Sequence, residues 1–186
     1  MTLYIKNMVC SRCLLAVQGI LQELSIRYTS MRLGEVVLAH EISAEQLKVF
    51  AEKIAAIGFQ LIDDKKSQVI EKIKNEVVTL VHHSTHQLKT NLSDHLAAQL
   101  NYDYHYLSNL FSEVEGTTIE KYYIAQKIER VKEFLVYNEF SLSEIAFQMG
   151  YSSVAHLSSQ FKKVTGLTPS HFKQIGAEKR KPLDQI

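Results

Sequence analysis

The stretch LAAQLNYDYHYLSNLFSEVEG at residues 96–116 decides the fold of the C-terminal half, because it recurs as IAFQMGYSSVAHLSSQFKKVTG at residues 145–166. Each copy predicts a short apolar helix, a short break, and a second helix that ends at a glycine. Helix, turn and helix in this order form the helix-turn-helix motif. The recurring residues are Leu96-Ala97, Leu100, Tyr102, Leu107, Phe111, Gly116 and Tyr122 in the first copy and Ile145-Ala146, Met149, Tyr151, Leu157, Phe161, Gly166 and Phe172 in the second.

Two such motifs are predicted, at about residues 92–116 and 141–166, joined by a helix at about 119–137. The second helix of a helix-turn-helix enters the DNA major groove. Two copies in one chain therefore predict a monomer, or a weak homodimer, that reads two adjacent groove segments of double-stranded DNA. The alternative is a helical bundle that contacts other proteins.

Charge is distributed unevenly along a chain whose net charge is only +1. Residues 90–140 hold four basic and eight acidic side chains, whereas residues 141–186 hold six basic and three acidic ones. Phosphate contact needs a positive surface, so Lys162 and Lys163 of the second copy are the predicted phosphate contacts. No apolar run approaches the roughly 20 residues of a membrane span, and we expect a cytoplasmic protein without membrane contact.

The N-terminal segment predicts a separate α+β domain at residues 1–65, followed by the all-α part at residues 66–186. Alternating strand patterns and helical spacings follow one another as βαββαβ. This is the ferredoxin-like order, a four-stranded antiparallel sheet with two helices on one face. An amphipathic helix is expected from Ser67 to about His82-His83.

The only two cysteines, Cys10 and Cys13, lie on the predicted loop after the first strand. A helix N-terminus stabilises thiolate charge. Two such sulfurs suit a soft ion in low coordination, Cu(I) above all. Zn(II) prefers four ligands, and the other two would have to come from a second chain or from histidines. His82, His83 and His86 are candidates for that role, although such a cluster more often forms a solvated helix end.

The repeat resembles the DNA-binding domain of AraC/XylS-family transcription regulators over roughly residues 70–175. The resemblance rests on Leu96-Ala97, residues 106–111, Gly116 and Tyr122 in the first copy, and on residues 144–146, 150–151, 161–163 and 166–169 with Phe172 in the second. It implies double-stranded DNA and RNA polymerase as partners. It places these residues on the groove-facing sides of the recognition helices: His105, Ser108 and Asn109 in the first, and Val154, Ala155, Ser158 and Ser159 in the second.

These groove-facing residues differ from the readers that are common in DNA-binding helices. Asn109 can pair with adenine, and Val154 or Ala155 can touch a thymine methyl group. Glu113 and Glu115 stand where the family usually has basic residues, and Lys127 replaces a usual arginine in the connecting helix. These departures predict that the first motif binds more weakly than the second.

The N-terminal segment resembles the heavy-metal-associated domain of copper chaperones and metal-transporting ATPases over residues 1–65. The match is the M-x-C-x-x-C motif at residues 8–13 together with the βαββαβ order. The resemblance assigns the ligand role to Cys10 and Cys13 and a packing role to Met8. Two alternatives remain: a partner-binding module without metal, and a thioredoxin-like redox site, which relies on a cis-proline that this segment lacks.

These observations together predict a metal-responsive transcription regulator, with a metal-sensing N-terminal domain and a tandem helix-turn-helix reader. An enzyme is not expected, because no catalytic base lies near the cysteines in the sequence. The competing functions are a DNA-binding protein whose N-terminal domain only recruits partners, and a thiol-redox protein.

Overall fold

The structure is a computed structural model that describes residues 1–84, 88 and 90–175. The chain divides into two compact units, residues 1–75 and residues 76–186. The predicted boundary lay earlier, between residues 65 and 66. The division falls within a helix that the sequence analysis assigned wholly to the second domain.

The N-terminal unit contains four strands and two helices in the predicted βαββαβ order. The strands pair in the order β2-β3-β1-β4, and every pair is antiparallel. In the β1–β3 pair, Leu3 lies opposite Val36, and both side chains are buried. The elements are β1 (Thr2–Lys6), α1 (Ser11–Glu23), β2 (Tyr28–Arg32), β3 (Glu35–Leu38), α2 (Ala44–Ala55) and β4 (Gln60–Leu61).

The core of this unit forms where alternate residues of the strands meet the apolar faces of the helices. Side chains at every second strand position point to one face of a sheet, and Leu3 and Ile5 are accordingly buried together. Ser43 and Gln46 form the predicted capping box at the start of α2. Residues of α1, α2 and the neighbouring loops complete the cluster, namely Val17, Leu21, Phe50, Ile54, Met8 and Ile26.

The next helix, α3, runs from Lys65 to Val78 and continues as one π-helical turn, Thr79–His83. It was expected to begin at Ser67. It begins earlier, at Lys65. The Asp64 carboxylate accepts the Ser67 N–H at 2.8 Å, so Asp64 lies just before the first turn of the helix.

The C-terminal unit consists of helices throughout its described part. Its long helix, α6, spans Ile119–Tyr137, the range expected from the sequence, and it packs against α5, α8, α9 and the π-helical turn. None of the helices among the described residues combines the length and hydrophobicity needed to cross a membrane. The remaining helices are α4 (Leu92–Leu100), α5 (Tyr104–Glu115), α7 (Leu142–Gln148), α8 (Val154–Thr165) and α9 (Pro169–Ile175).

Candidate nucleic-acid interface and thiol site

The first recognition helix, α5, is held in place by a cap at its start and by three buried side chains. The Asp103 carboxylate accepts the Tyr106 N–H at 3.2 Å. Such caps satisfy backbone donors that have no partner within the helix. The opposite face carries the predicted readers: His105 and Asn109 are exposed, and Ser108 is half-buried. The buried side chains are Leu107, Leu110 and Phe111.

Three contacts order the exposed side of α5 and its start. The Asn109 Nδ2 lies 3.0 Å from the His105 Nε2, so the amide donates to the ring nitrogen. The rings of Tyr102 and Tyr106 stack with their centroids 5.5 Å apart. The hydroxyl of Tyr104 donates to the Glu120 carboxylate, which ties the start of α5 to the start of α6.

The second recognition helix, α8, begins at the Ser153 cap and buries Leu157 and Phe161. Its outward residues among those predicted are Ala155, Ser159, Lys162 and Lys163, all exposed, and Ser158 is half-buried. Val154, expected on the groove side as a contact for a thymine methyl group, is half-buried and packs partly against the core cluster of this unit.

Equivalent positions on the two recognition helices differ in charge. Lys162 and Lys163 occupy the positions that Ser112 and Glu113 occupy in the first motif, 50 residues earlier. Both lysines lie in the last turn of α8, where the helix dipole favours positive charge. The positive surface of the recognition helices therefore belongs to the second motif.

His156 is a candidate that the sequence analysis missed. It is exposed near the start of α8, its Nδ1 lies 3.1 Å from the Ser152 hydroxyl, and its ring contacts Tyr151 edge to face. The sequence repeat could have identified it, because the offset of 50 residues aligns His156 with Tyr106, which is also exposed.

Lys127, which stands in place of a usual arginine, lies against the second motif. Its Nζ lies 4.0 Å from the centre of the Tyr151 ring and 5.5 Å from that of Tyr123. Burial lowers the pKa of Lys127 to about 8. Aromatic faces attract a cation, so the rings partly compensate the cost of burying this charge.

The thiols of Cys10 and Cys13 lie together at the start of α1, where Cys10 is the N-cap residue. Their sulfurs are 3.3 Å apart, and both residues are partly exposed free cysteines. Burial raises the pKa of the Cys10 thiol, but its contacts with Cys13 and the Arg12 charge together bring that pKa below its ordinary value. Burial and the Cys10 contact raise the pKa of Cys13. The pair therefore favours a single thiolate, on Cys10. Met8, which was expected to have a packing role, is buried in the core.

The histidines expected as extra ligands are arranged otherwise. His82 is partly buried, and its Nε2 lies 3.0 Å from the Oε1 of Gln126, whose amide donates to the Tyr122 hydroxyl at 3.0 Å. His82 therefore belongs to a polar network and not to a solvated helix end; His83 is exposed, and His86 lies outside the described residues. Within the described part of the chain, no group of three or more His, Cys, Asp or Glu could hold one metal ion.

Comparison with known proteins matches residues 96–175 to the family described as a helix-turn-helix domain. A Bacillus subtilis protein, the uncharacterized HTH-type transcriptional regulator YtdP, is 25% identical over 137 residues, which are 69% of this chain and 17% of that protein. The chain thus spans a small part of this relative's length.

Two solved structures share the fold of the helical unit. The C-terminal domain of AraT, a response regulator from Geobacillus stearothermophilus, superposes with a TM-score of 0.52 at 20% identity, over 64% of this chain and 95% of that one. A transcriptional regulator from Chromobacterium violaceum, of the AraC-type DNA-binding domain-containing proteins, superposes with a TM-score of 0.50 at 24% identity, over 59% and 96%. Residues 96–175 therefore match a helix-turn-helix domain family, and the helical unit has the fold of an AraC-type DNA-binding domain.

This fold accounts for the paired motifs described above, with α5 and α8 as the second helices of the two motifs and α6 as the helix between them. The three proteins named are described as transcription or response regulators, which agrees with the expectation of a regulator and not an enzyme.

Proposed function

We propose that the protein is a sequence-specific transcription regulator that binds double-stranded DNA through both motifs of its AraC-type domain. The observation that carries this proposal is the matched pair of recognition helices. Each buries Leu and Phe at equivalent positions, Leu107 and Phe111 in α5 and Leu157 and Phe161 in α8. Each leaves the opposite face exposed, as a helix in the major groove requires.

The division of charge supports DNA as the ligand over a protein partner. Lys162 and Lys163 place two positive charges beside the exposed face of α8, where groove-flanking phosphates would lie. One chain contains both motifs, so a monomer suffices for two groove contacts. RNA polymerase is then the expected protein partner of the bound regulator.

The test is selection of binding sites from random duplexes about 30 base pairs long, which exceed two helical turns. A conserved motif in the recovered duplexes supports sequence-specific binding. If the protein retains no duplex at low salt, the proposal is wrong and the helical unit is a protein-contact bundle.

We further infer that residues 1–65 are a heavy-metal-associated domain of the ferredoxin-like fold, which binds Cu(I) through Cys10 and Cys13 and makes the regulator metal-responsive. The antiparallel order β2-β3-β1-β4 and the placement of both thiols at the start of α1 support this assignment.

The two thiols fit a soft ion in low coordination. Two sulfurs bound at about 2.3 Å on opposite sides of a two-coordinate ion lie about 4.6 Å apart. The thiol sulfurs lie 3.3 Å apart on a partly exposed loop, so they would have to move apart to hold such an ion between them. Zn(II) would need two further ligands, which fits less well with a site of two thiols.

Competition of the full chain against a chromophoric Cu(I) chelator tests this site. We expect the parent to take one Cu(I) ion per chain from the chelator. The Cys10→Ser, Cys13→Ser double variant should take none. Equal Cu(I) uptake by parent and variant would contradict the assignment and favour a partner-binding module. A thiol-disulfide exchange assay on the same two proteins separates the remaining thiol-redox alternative.

A further inference from the structure

The exposed face of α5 carries a hydrogen-bonded pair of side chains, whereas the corresponding face of α8 does not. Asn109 and His105 are four residues apart, so they are neighbours on one face of the helix. The Asn109 Nδ2 lies 3.0 Å from the His105 Nε2, and both residues are exposed. The amide of Asn109 is thus held in one orientation before any ligand arrives.

We propose that His105 orients Asn109 to read an adenine in the major groove, so that the first motif supplies most of the sequence discrimination and the second most of the affinity. This inference rests on the proposed function, because it requires DNA at the exposed face of α5. His105 is the positioning residue, and Asn109 makes the base contact.

The chemistry of the amide group leads to adenine. An asparagine side chain offers two N–H donors and one carbonyl acceptor. The His105 ring accepts one of the donors, which leaves one N–H and the carbonyl oxygen. These are the two groups that pair with adenine, the N–H with N7 and the carbonyl with the N6 amino group. Guanine presents acceptors at both positions, so the carbonyl would be left without a donor.

The second recognition helix lacks this chemistry. The residues that correspond to His105 and Asn109, 50 positions later, are Ala155 and Ser159. Alanine offers only a methyl group, and a serine hydroxyl is a permissive contact. Lys162 and Lys163 on the same helix supply charge, which binds phosphates without reading sequence. The two motifs are therefore built for different parts of the interaction.

Holding the Asn109 amide in one orientation should strengthen its preference for adenine. Immobilising a side chain on binding costs roughly 0.5–1.5 kcal/mol, which corresponds to about 2- to 12-fold in affinity. The His105 contact removes part of this cost in advance. Loss of His105 should therefore weaken the adenine preference by less than loss of Asn109, and its effect should vanish when Asn109 is absent.

The experiment compares sites selected from a random duplex pool by the full-length parent and by Asn109→Ala, His105→Leu, His105→Gln and the His105→Leu, Asn109→Ala double variant. Ser159→Ala is the matched control on α8. All variants change surface positions, and thermal unfolding confirms that each is folded. Affinity is then measured on the parent's preferred duplex and on duplexes with the adenine replaced.

We expect Asn109→Ala to lose about 5- to 150-fold discrimination at one adenine position. His105→Leu should lose about 2- to 12-fold there, and His105→Gln, which keeps an acceptor, should retain most of it. The double variant should match Asn109→Ala, and Ser159→Ala should keep the adenine. If Asn109→Ala selects the parental motif unchanged, or the two single losses add, the inference is wrong while DNA binding stands. If the parent selects no motif, the proposed function fails and the inference with it.

Discussion

Tyr151 and His156 pack edge to face, with their ring centroids 5.3 Å apart and their planes at 89°. The equivalent residues of the first motif, Tyr102 and Tyr106, stack at 5.5 Å and 28°. Tyr151 is 8% exposed, whereas Tyr102 is 41% exposed. The tyrosine at this position therefore packs in the core of the second motif, whereas in the first motif it forms part of an exposed aromatic surface.

This difference predicts unequal effects on stability. Tyr151→Ala removes a buried ring and its hydroxyl contact with Gln160 at 2.6 Å, so we expect a loss of about 3–5 kcal/mol in the free energy of unfolding. Tyr151→Phe should cost about 1 kcal/mol, the hydrogen bond alone. Tyr102→Ala is the matched control and should cost well under 1 kcal/mol. Urea unfolding measures all three, and equal losses from the two alanine variants would contradict the asymmetry.

The burial of His82 predicts a loss of stability in mild acid. Burial lowers the pKa of His82 from 6.5 to about 4. The unfolded chain therefore binds the proton first as pH falls, and the stabilisation present above pH 6.5 is lost on the way to pH 4. From pH 7 to pH 5 the expected loss is about 2 kcal/mol.

Urea unfolding at pH 7 and pH 5 tests this, with His82→Gln as the control because glutamine does not titrate in this range. The parent should lose about 2 kcal/mol more than the control between these two pH values. An identical loss in both proteins would show that His82 is not the group responsible.

Lys162 and Lys163 are predicted to bind phosphates. Each neutralised phosphate contributes about 0.9 to the slope of log affinity against log salt concentration. Changing both lysines to alanine should lower that slope by about two and weaken binding to all duplexes alike. Lys6→Ala, Lys48→Ala is the matched control, since both residues are exposed and lie in the N-terminal unit. An unchanged slope in the α8 variant would refute the phosphate contact.

Cu(I) bound at Cys10 and Cys13 is predicted to change DNA affinity. Coupling between two sites is usually about 1–3 kcal/mol, so affinity should shift by about 5- to 150-fold when the ion is added. The measurement is a DNA titration of the parent with and without Cu(I), and then with Zn(II), with the Cys10→Ser, Cys13→Ser variant as control. If the parent binds Cu(I) and its DNA affinity does not change, the metal-responsive function is contradicted and a partner-binding N-terminal domain is favoured.

The helices could be predicted from the sequence because their signals are local. The Ser141–Glu144 capping box and the Thr118 cap fix the starts of α7 and α6, and the left-handed Asn138 ends α6. Each of these depends on residues within one turn, which a pattern of apolar spacing and capping residues records.

The environment of individual site residues could not be read in the same way. His82 meets Gln126 from 44 residues away, and no local pattern encodes such a contact. Val154 packs partly against the core cluster, a contact that depends on tertiary packing. The sequence repeat predicted the position of each candidate residue, but the exposure and contacts of those residues could be known only from the folded structure.

The central claim is that both motifs contact one duplex. α6 has 19 residues, about 28 Å at 1.5 Å per residue, which approaches the 34–36 Å of one DNA turn. Hydroxyl-radical footprinting of the full chain on a duplex selected from the random pool tests this most directly. We predict two protected segments, one helical turn apart on the same face of the duplex, at a stoichiometry of one chain per site. Protection of a single groove segment by one chain would contradict the claim that both motifs dock.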